Sequence, residues 1–176
     1  MLEEIGVNGM KRLLVCILFV LFGTQVFAQD FNDAITVYKA GEKTIAIKMF
    51  KQLSDKGDLE AQDMLSSMYM HGDGVKEDKA KAYKYARLAA VNQSLGSIHA
   101  KARGQYTVGY SYYFGHGVKI DYSLAYMWMA IAKSNDAWNA DSLLNASSRK
   151  LDQKQRNDAI KMANRCISSN FQKCGY

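Results

Sequence analysis

Residues 61–90 read AQDMLSSMYMHGDGVKEDKAKAYKYARLAA, and residues 104–133 read GQYTVGYSYYFGHGVKIDYSLAYMWMAIAK. The two stretches align without gaps at an offset of 43 residues. The identical pairs at the centre of the alignment are Tyr69/Tyr112, Gly72/Gly115, Gly74/Gly117, Val75/Val118 and Asp78/Asp121. Internal repetition with a period of this length is typical of arrays built from stacked helical hairpins.

Each copy is predicted to form two antiparallel helices joined by a tight turn. In the first helix Leu65, Met68 and Tyr69 lie at i, i+3 and i+4, so they share one apolar face. The first glycine of each G-x-G turn is expected to end this helix in the left-handed conformation. The aspartate that follows is expected to cap the second helix by accepting hydrogen bonds from unpaired amides. In the second helix Trp128 is predicted to fill the space between small alanines.

Weaker amphipathic stretches flank the two clear copies. Upstream, residues 31–40 and 42–56 are predicted to form a helix pair joined at Gly41, with a buried face made by Ile45, Met49, Phe50 and Leu53. Downstream, residues 136–149 and 153–168 are predicted to form another pair. Its last helix is expected to begin with a capping box of Asp152 and Gln155 and to carry an apolar stripe of Ala159, Ile160, Ala163 and Ile167.

The pattern as a whole predicts an all-α superhelix, a solenoid of about four antiparallel helix pairs over residues 29–176. The clear repeats occupy 61–90 and 104–133, and the degenerate pairs occupy 31–56 and 136–168. Terminal pairs of such arrays are expected to be atypical because their outer faces meet water.

The repeat resembles the Sel-like repeat, a relative of the tetratricopeptide repeat. The first copy supplies the family's Ala61, Leu65, Tyr69, Gly72, Gly74, Asp78 and Ala82, but has Ser66 in place of glycine and Tyr85 in place of tryptophan. The second copy supplies Gly109, Tyr112, Gly115, Gly117, Asp121, Ala125 and Trp128, but departs at Gly104, Val108, Leu124 and Lys133. The resemblance covers about residues 58–168 and implies an adaptor or scaffold that holds other proteins. Secreted members linked to β-lactam binding carry a disulfide in every repeat, whereas the two clear copies here contain no cysteine.

The N-terminus has the layout of a secretory signal peptide over residues 1–28. Lys11 and Arg12 precede an apolar run at 13–22, and Ala28 ends a small-residue cleavage site. The run is too short to span a membrane, so no span is expected after cleavage. Residues 1–9 are interpreted as an upstream extension, with Met10 as the more natural start. This layout predicts a periplasmic or secreted protein.

Removal of residues 1–28 leaves two cysteines, Cys166 and Cys174, and an exported chain favours a disulfide between them. A free redox pair is the alternative, although the spacing is not C-x-x-C. The mature chain keeps 21 Lys and Arg against 15 Asp and Glu, a net charge of +6. Because these cations are interspersed with acids, no nucleic-acid partner is predicted.

The sequence offers no recognisable catalytic set, so we predict a non-enzymatic protein without cofactor or metal. His71 and His116 adjoin the turn glycines and His99 lies between the repeats, and all three are interpreted as solvent-exposed. Phosphate-binding loops and nucleophile elbows are absent from the sequence. The alternative hypothesis is a cell-wall- or β-lactam-directed enzyme of the secreted Sel-like type.

A partner-binding stripe is predicted on the first helix of the second repeat. Tyr106, Tyr110 and Tyr113 lie at i, i+4 and i+7, away from the core positions, and the equivalent positions in the first repeat are Asp63, Ser67 and Met70. First helices line the concave side of solenoids, and tyrosine and methionine favour binding surfaces. The alternative is that the tyrosines pack on the neighbouring hairpin with only their hydroxyls in water. The expected partner is a peptide or protein, and the expected state is a monomer or weak homodimer.

Overall fold

The computed structural model describes residues 30–94 and 96–175, so the predicted signal peptide lies outside the described residues. Within these residues the chain forms eight α-helices and no strand. In chain order they are α1 (Phe31–Lys39), α2 (Lys43–Asp55), α3 (Leu59–His71), α4 (Lys79–Val91), α5 (Ile98–Phe114), α6 (Tyr122–Ser134), α7 (Ala140–Ser148) and α8 (Gln153–Ser168). The all-α solenoid that the repeat predicts is therefore confirmed.

The helices pack in sequence order, since each helix from α1 to α6 contacts the next. Helix α3 also contacts α5, and α5 also contacts α7, so the first helices of successive pairs meet directly. We call this first-helix side of the array, on which α3 meets α5, its inner side. Helix α8 packs chiefly on α6, on the outer, second-helix side. No helix in the described residues is long and apolar enough to cross a membrane.

The turn chemistry of the two clear repeats is as predicted. Gly72 and Gly115 end α3 and α5 in the left-handed conformation, with φ of 70° and 74°. Asp78 caps α4 by accepting from the amide of Lys81, and Asp121 caps α6 by accepting from the amide of Leu124. These short-range signals determine where each helix of the repeat begins and ends.

The second glycine of each turn serves the contact between repeats. Gly74 and Gly117 also have positive φ, of 71° and 76°. A Cβ on Gly117 would lie 2.5 Å from the carbonyl oxygen of Lys79 and 2.6 Å from the Cα of Ala80, at the start of α4. A Cβ on Gly74 would lie 2.5 Å from the Cβ of Lys43, at the start of α2. Each G-x-G turn therefore touches the second helix of the preceding pair at a distance that only glycine permits.

A pair of side-chain amides, which we call the amide clamp, recurs in the two clear repeats. Asn92 Nδ2 donates to Gln62 Oε1 at 2.9 Å, and Asn135 Nδ2 donates to Gln105 Oε1 at 2.8 Å. The glutamine in turn donates to a backbone carbonyl of the preceding pair, that of Ala90 in the case of Gln105, at 3.2 Å. Because both glutamines are buried, these bonds satisfy groups that would otherwise be costly to desolvate.

The faces that the flanking helices bury differ from the prediction. In α2, Met49, Phe50 and Leu53 are buried as expected, but Ile45 is half exposed and Ala46 and Ile47 take its place. In α8, Ala159 and Ala163 are buried as expected, whereas Ile160 and Ile167 are exposed. The small side chains and Cys166 of α8 face α6, which leaves the two bulky isoleucines directed outward.

Helix α7 begins at Ala140 rather than near Asp136, as the sequence pattern predicts. Asp136 and Asn139 both adopt left-handed backbone conformations, with φ of 57° and 65°. A right-handed helix cannot continue through such residues, so the helical pattern is interrupted until Ala140.

The predicted disulfide between Cys166 and Cys174 is present. It closes the C-terminal tail onto the end of α8, and the tail in turn contacts earlier helices. Arg87 Nη2 donates to the carbonyl of Cys174 at 2.9 Å, and the Lys101 ammonium lies 4.2 Å from the centre of the Phe171 ring. The tail therefore links the end of α8 to α4 and α5, in addition to the direct contact of α8 with α6.

Candidate partner-binding groove

A groove of about 310 Å³ lies on the inner side of the array, between α3 and α5. Its walls are formed by Asp63, Met64, Ser66, Ser67, Met70 and His71 of α3 and by Arg103, Tyr106 and Thr107 of α5. Four residues of the predicted partner-binding stripe, Asp63, Ser67, Met70 and Tyr106, thus line one concavity. The other two, Tyr110 and Tyr113, lie outside its lining.

An ion pair joins the two walls of the groove. Arg103 Nε donates to Asp63 Oδ2 at 2.8 Å, and Arg103 Nη2 donates to the same oxygen. The Asp63 carboxylate is nearly buried, whereas 62% of the Arg103 side chain is exposed. Burial raises the pKa of the Asp63 carboxyl above its usual value, and the hydrogen bond from Arg103 partly offsets this shift. The groove therefore presents a guanidinium whose orientation is held by a largely desolvated carboxylate.

Replacing Arg103 with methionine is expected to lower the free energy of unfolding at pH 7 by about 1–2 kcal/mol, because a buried carboxylate loses its partner. The substitution also removes the hydrogen bond and the positive charge of Arg103, both of which lower the pKa of Asp63, so that pKa rises further. A carboxyl whose folded pKa is raised is destabilising only where it is ionised. The loss should therefore shrink as the pH falls below the folded pKa of Asp63.

Urea unfolding at pH 7 and at pH 4 measures this difference. The control is Lys133→Met, which removes an ion pair with Asp141 whose side chains are 54% and 67% exposed. Exposed pairs contribute little, so this change should stay within about 0.5 kcal/mol. Equal losses for the two variants would contradict the role given to Asp63 burial.

Arg103 was not among the binding residues predicted from the sequence, although its position on the helix could have indicated it. Arg103 lies three residues before Tyr106 and seven before Tyr110, on the same helical stripe. Its partner Asp63 is 40 residues away, so the pairing depends on how α3 and α5 stack.

The three tyrosines of the predicted stripe differ in whether they line the groove or pack against neighbouring side chains. Tyr106 and Tyr110 are half-buried against α6 and α7, where they pack with the cluster of Met129, Ala132, Ala140, Leu143 and Leu144. Their ring centroids are 6.2 Å apart, and burial raises the pKa of the Tyr106 hydroxyl. Tyr113 packs edge-on against Tyr122, with ring centroids 5.4 Å apart. Tyr110 thus packs partly on the neighbouring hairpin, whereas Tyr113 packs on Tyr122 of its own hairpin and Tyr106 also reaches the groove.

The interpretation of His116 as solvent-exposed is wrong, whereas His71 and His99 are exposed as expected. The His116 ring lies 5.3 Å from that of Tyr110 and 5.8 Å from that of Phe114, and its Nδ1 has no hydrogen-bond partner among the described residues. Large aromatic side chains on α5 cover this turn. At the equivalent position of the first repeat, Asp73 instead accepts from the hydroxyl of Tyr38 and pairs with Lys43. The part of the chain that the structure describes has no cluster of three potential metal ligands.

Two segments of the chain match a known family model. Residues 59–90 and 102–136 match the family model of the Sel1 repeat. An exopolysaccharide production negative regulator of Rhizobium leguminosarum bv. viciae is 30% identical over 101 residues, which cover 54% of this chain and 38% of that protein. A protein of the same description from Rhizobium meliloti (strain 1021) is 32% identical over 68 residues, covering 38% of this chain and 25% of that one.

The same fold occurs in a solved structure. The crystal structure of a protective antigen present in uropathogenic Escherichia coli strains, which displays an SLR fold, matches with a TM-score of 0.66 and 27% identity. The match covers 80% of this chain and 30% of that one, so the chain spans less than two fifths of the length of each of these proteins. Sel1 repeats support a role in protein–protein interaction. The chain thus contains two segments similar to the Sel1 repeat, in a helical fold similar to that of an SLR-fold protein.

Proposed function

We propose that the protein is a non-enzymatic adaptor of the cell envelope whose inner groove holds a peptide or a segment of a protein partner. The observation that carries this proposal is the groove itself, in which Asp63, Ser67, Met70 and Tyr106 converge around the exposed guanidinium of Arg103. Concave first-helix surfaces are where solenoids commonly bind partners.

The chemistry of the groove suits recognition of side chains rather than bond breaking. Met64, which is partly exposed, offers adaptable apolar surface, and Tyr106 offers a large ring with few rotatable bonds. A volume of about 310 Å³ lies at the small end of the range for binding pockets, which suits one or two inserted side chains. The remainder of a partner would lie along α3 and α5.

Placement in the cell envelope rests on two features. Residues 1–28 have the layout of a signal peptide, and Cys166 and Cys174 form a disulfide, a bond that persists in oxidising compartments.

Site-specific crosslinking in the source cell tests the groove. A photoreactive benzoylphenylalanine placed at Ser67, an exposed residue of the groove, should give a discrete adduct with one protein, identified by mass spectrometry. The matched control carries the same residue at Gln52, an exposed position of α2. Ser67→Arg should abolish recovery of that protein by the mature chain, whereas Gln52→Arg should leave it unchanged.

Two results would overturn the proposal. One is the same adducts from both crosslinker positions, because the groove would then hold no specific partner. The other is turnover of a chromogenic β-lactam by the purified protein, which would favour the enzymatic alternative.

A further inference from the structure

The outward face of α8 carries two exposed isoleucines. Ala159, Ala163 and Cys166 bury the inner face of the helix on α6. On the other side, Ile160 and Ile167 remain 42% and 45% exposed. Ile160 and Ile167 lie two helical turns apart on the same face, so another helix could cover both of them.

Four of the exposed residues of α8 have the spacing of a helix–helix seam. Asn157, Ile160, Asn164 and Ile167 are separated by three, four and three residues, which is the a–d–a–d pattern of a coiled coil. In such a seam isoleucines fill holes in the facing helix, and an asparagine at an a position fixes the register. The face is therefore arranged to receive another helix.

The charge around the seam limits which helix that is. Residues 149–173 carry seven Lys and Arg against two Asp and Glu, whereas residues 30–148 carry 14 against 13. Nearly all of the net positive charge of the mature chain thus lies on this last segment. Lys161 occupies the e position beside the seam, and Asp158, the acid that faces it, also pairs with Lys154 at 3.0 Å.

We infer that the outward face of α8, through Asn157, Ile160, Asn164 and Ile167, docks an acidic amphipathic helix of another protein. A second copy of this chain fits poorly, since it would bring like charges together along the flanks of the seam. A partner helix with Glu at its e and g positions complements them.

Both ends of α8 are fixed before a partner binds. The capping box of Asp152 and Gln155 holds the start of α8, and the Cys166–Cys174 disulfide holds its end. A helix fixed at both ends loses little conformational entropy on binding. The seam lies on the outer side of the array, away from the groove between α3 and α5. An adaptor with both surfaces can hold two partners at once.

The test uses the mature, disulfide-bonded protein and two designed probes. Both are three-heptad helical peptides with Ile and Leu in the seam; one carries Glu and the other Lys at its e and g positions. Fluorescence anisotropy should show binding of the Glu peptide and at least about tenfold weaker binding of the Lys peptide.

Matched variants locate the binding. Ile160→Ser combined with Ile167→Ser should weaken binding of the Glu peptide by about tenfold or more, and Lys161→Glu should weaken it too. Ile45→Ser, a change to an exposed isoleucine of α2, should leave it unaltered. Circular dichroism confirms that each variant remains folded, as is expected for changes at exposed side chains.

Three results would overturn the inference. The first is equal affinity for the two peptides, and the second is unchanged affinity in the double isoleucine variant. The third is binding to phosphatidylglycerol vesicles, but not to phosphatidylcholine vesicles, that the double isoleucine variant loses, in a protein that does not bind the Glu peptide. That result would make α8 a contact for an anionic membrane surface instead.

Discussion

Replacing Gly117 with alanine is expected to lower the free energy of unfolding by about 3 kcal/mol. Two costs add at this position. The backbone is left-handed, with φ of 76°, which an L side chain tolerates poorly. The new Cβ would also meet the backbone of Lys79 and Ala80 at 2.5–2.6 Å. Because backbone atoms cannot move aside as a flexible side chain does, the turn would have to withdraw from α4 and loosen the contact between repeats.

Gly57→Ala separates these two costs. Gly57 also has positive φ, of 86°, but a Cβ there would meet nothing within 4 Å. Only the conformational cost applies, so the expected loss is about 1 kcal/mol. Urea unfolding of both variants measures the difference. If the two lose the same free energy, the close approach at Gly117 contributes nothing to stability.

Removing the Cys166–Cys174 disulfide is expected to lower the free energy of unfolding by about 2.5 kcal/mol, the loop-closure term for a link between residues eight apart. Cys174→Ser is the suitable variant, since Cys174 is the less buried partner. Unfolding should begin in the C-terminal tail, whose contacts with Arg87, Gln93 and Lys101 depend on its closed form. Hydrogen exchange should accordingly quicken at the end of α8 before it does so in α3 and α4.

A reducing agent gives the internal control for this prediction. It should lower the urea midpoint of the wild-type protein to that of Cys174→Ser and leave the midpoint of the variant unchanged. A wild-type midpoint that reductant does not move would contradict a stabilising role for the bond.

Much of the fold could be predicted because its signals are local. A glycine that ends a helix, an aspartate that begins one and a spacing of 43 residues between copies are all legible along the chain. The buried faces of α2 and α8 were predicted less well. Ile45, Ile160 and Ile167 belong to the apolar stripe of each helix by periodicity, but helix packing selects small residues on close contacts and turned all three isoleucines outward.

The candidate groove was predictable only in part for the same reason. Repeat equivalence placed Asp63, Ser67 and Met70 beside Tyr106 because equivalent positions of stacked first helices face the same side. It could not reveal that Arg103 pairs with Asp63, nor that Tyr110 packs against α7. Those contacts depend on side chains that meet across repeats, for which the periodicity of one helix carries no information.

The amide clamp has a consequence for how the array unfolds. Gln105 holds Asn135 of its own repeat and the Ala90 carbonyl of the preceding one, and Gln62 holds Asn92 and the Ser54 carbonyl. A repeat that opened alone would strand a buried amide or carbonyl in its neighbour. These hydrogen bonds therefore couple each of the two repeats to the helix pair before it, as in a nearest-neighbour chain. Such coupling disfavours the opening of one of these repeats alone, and the groove between α3 and α5 spans one of the coupled junctions.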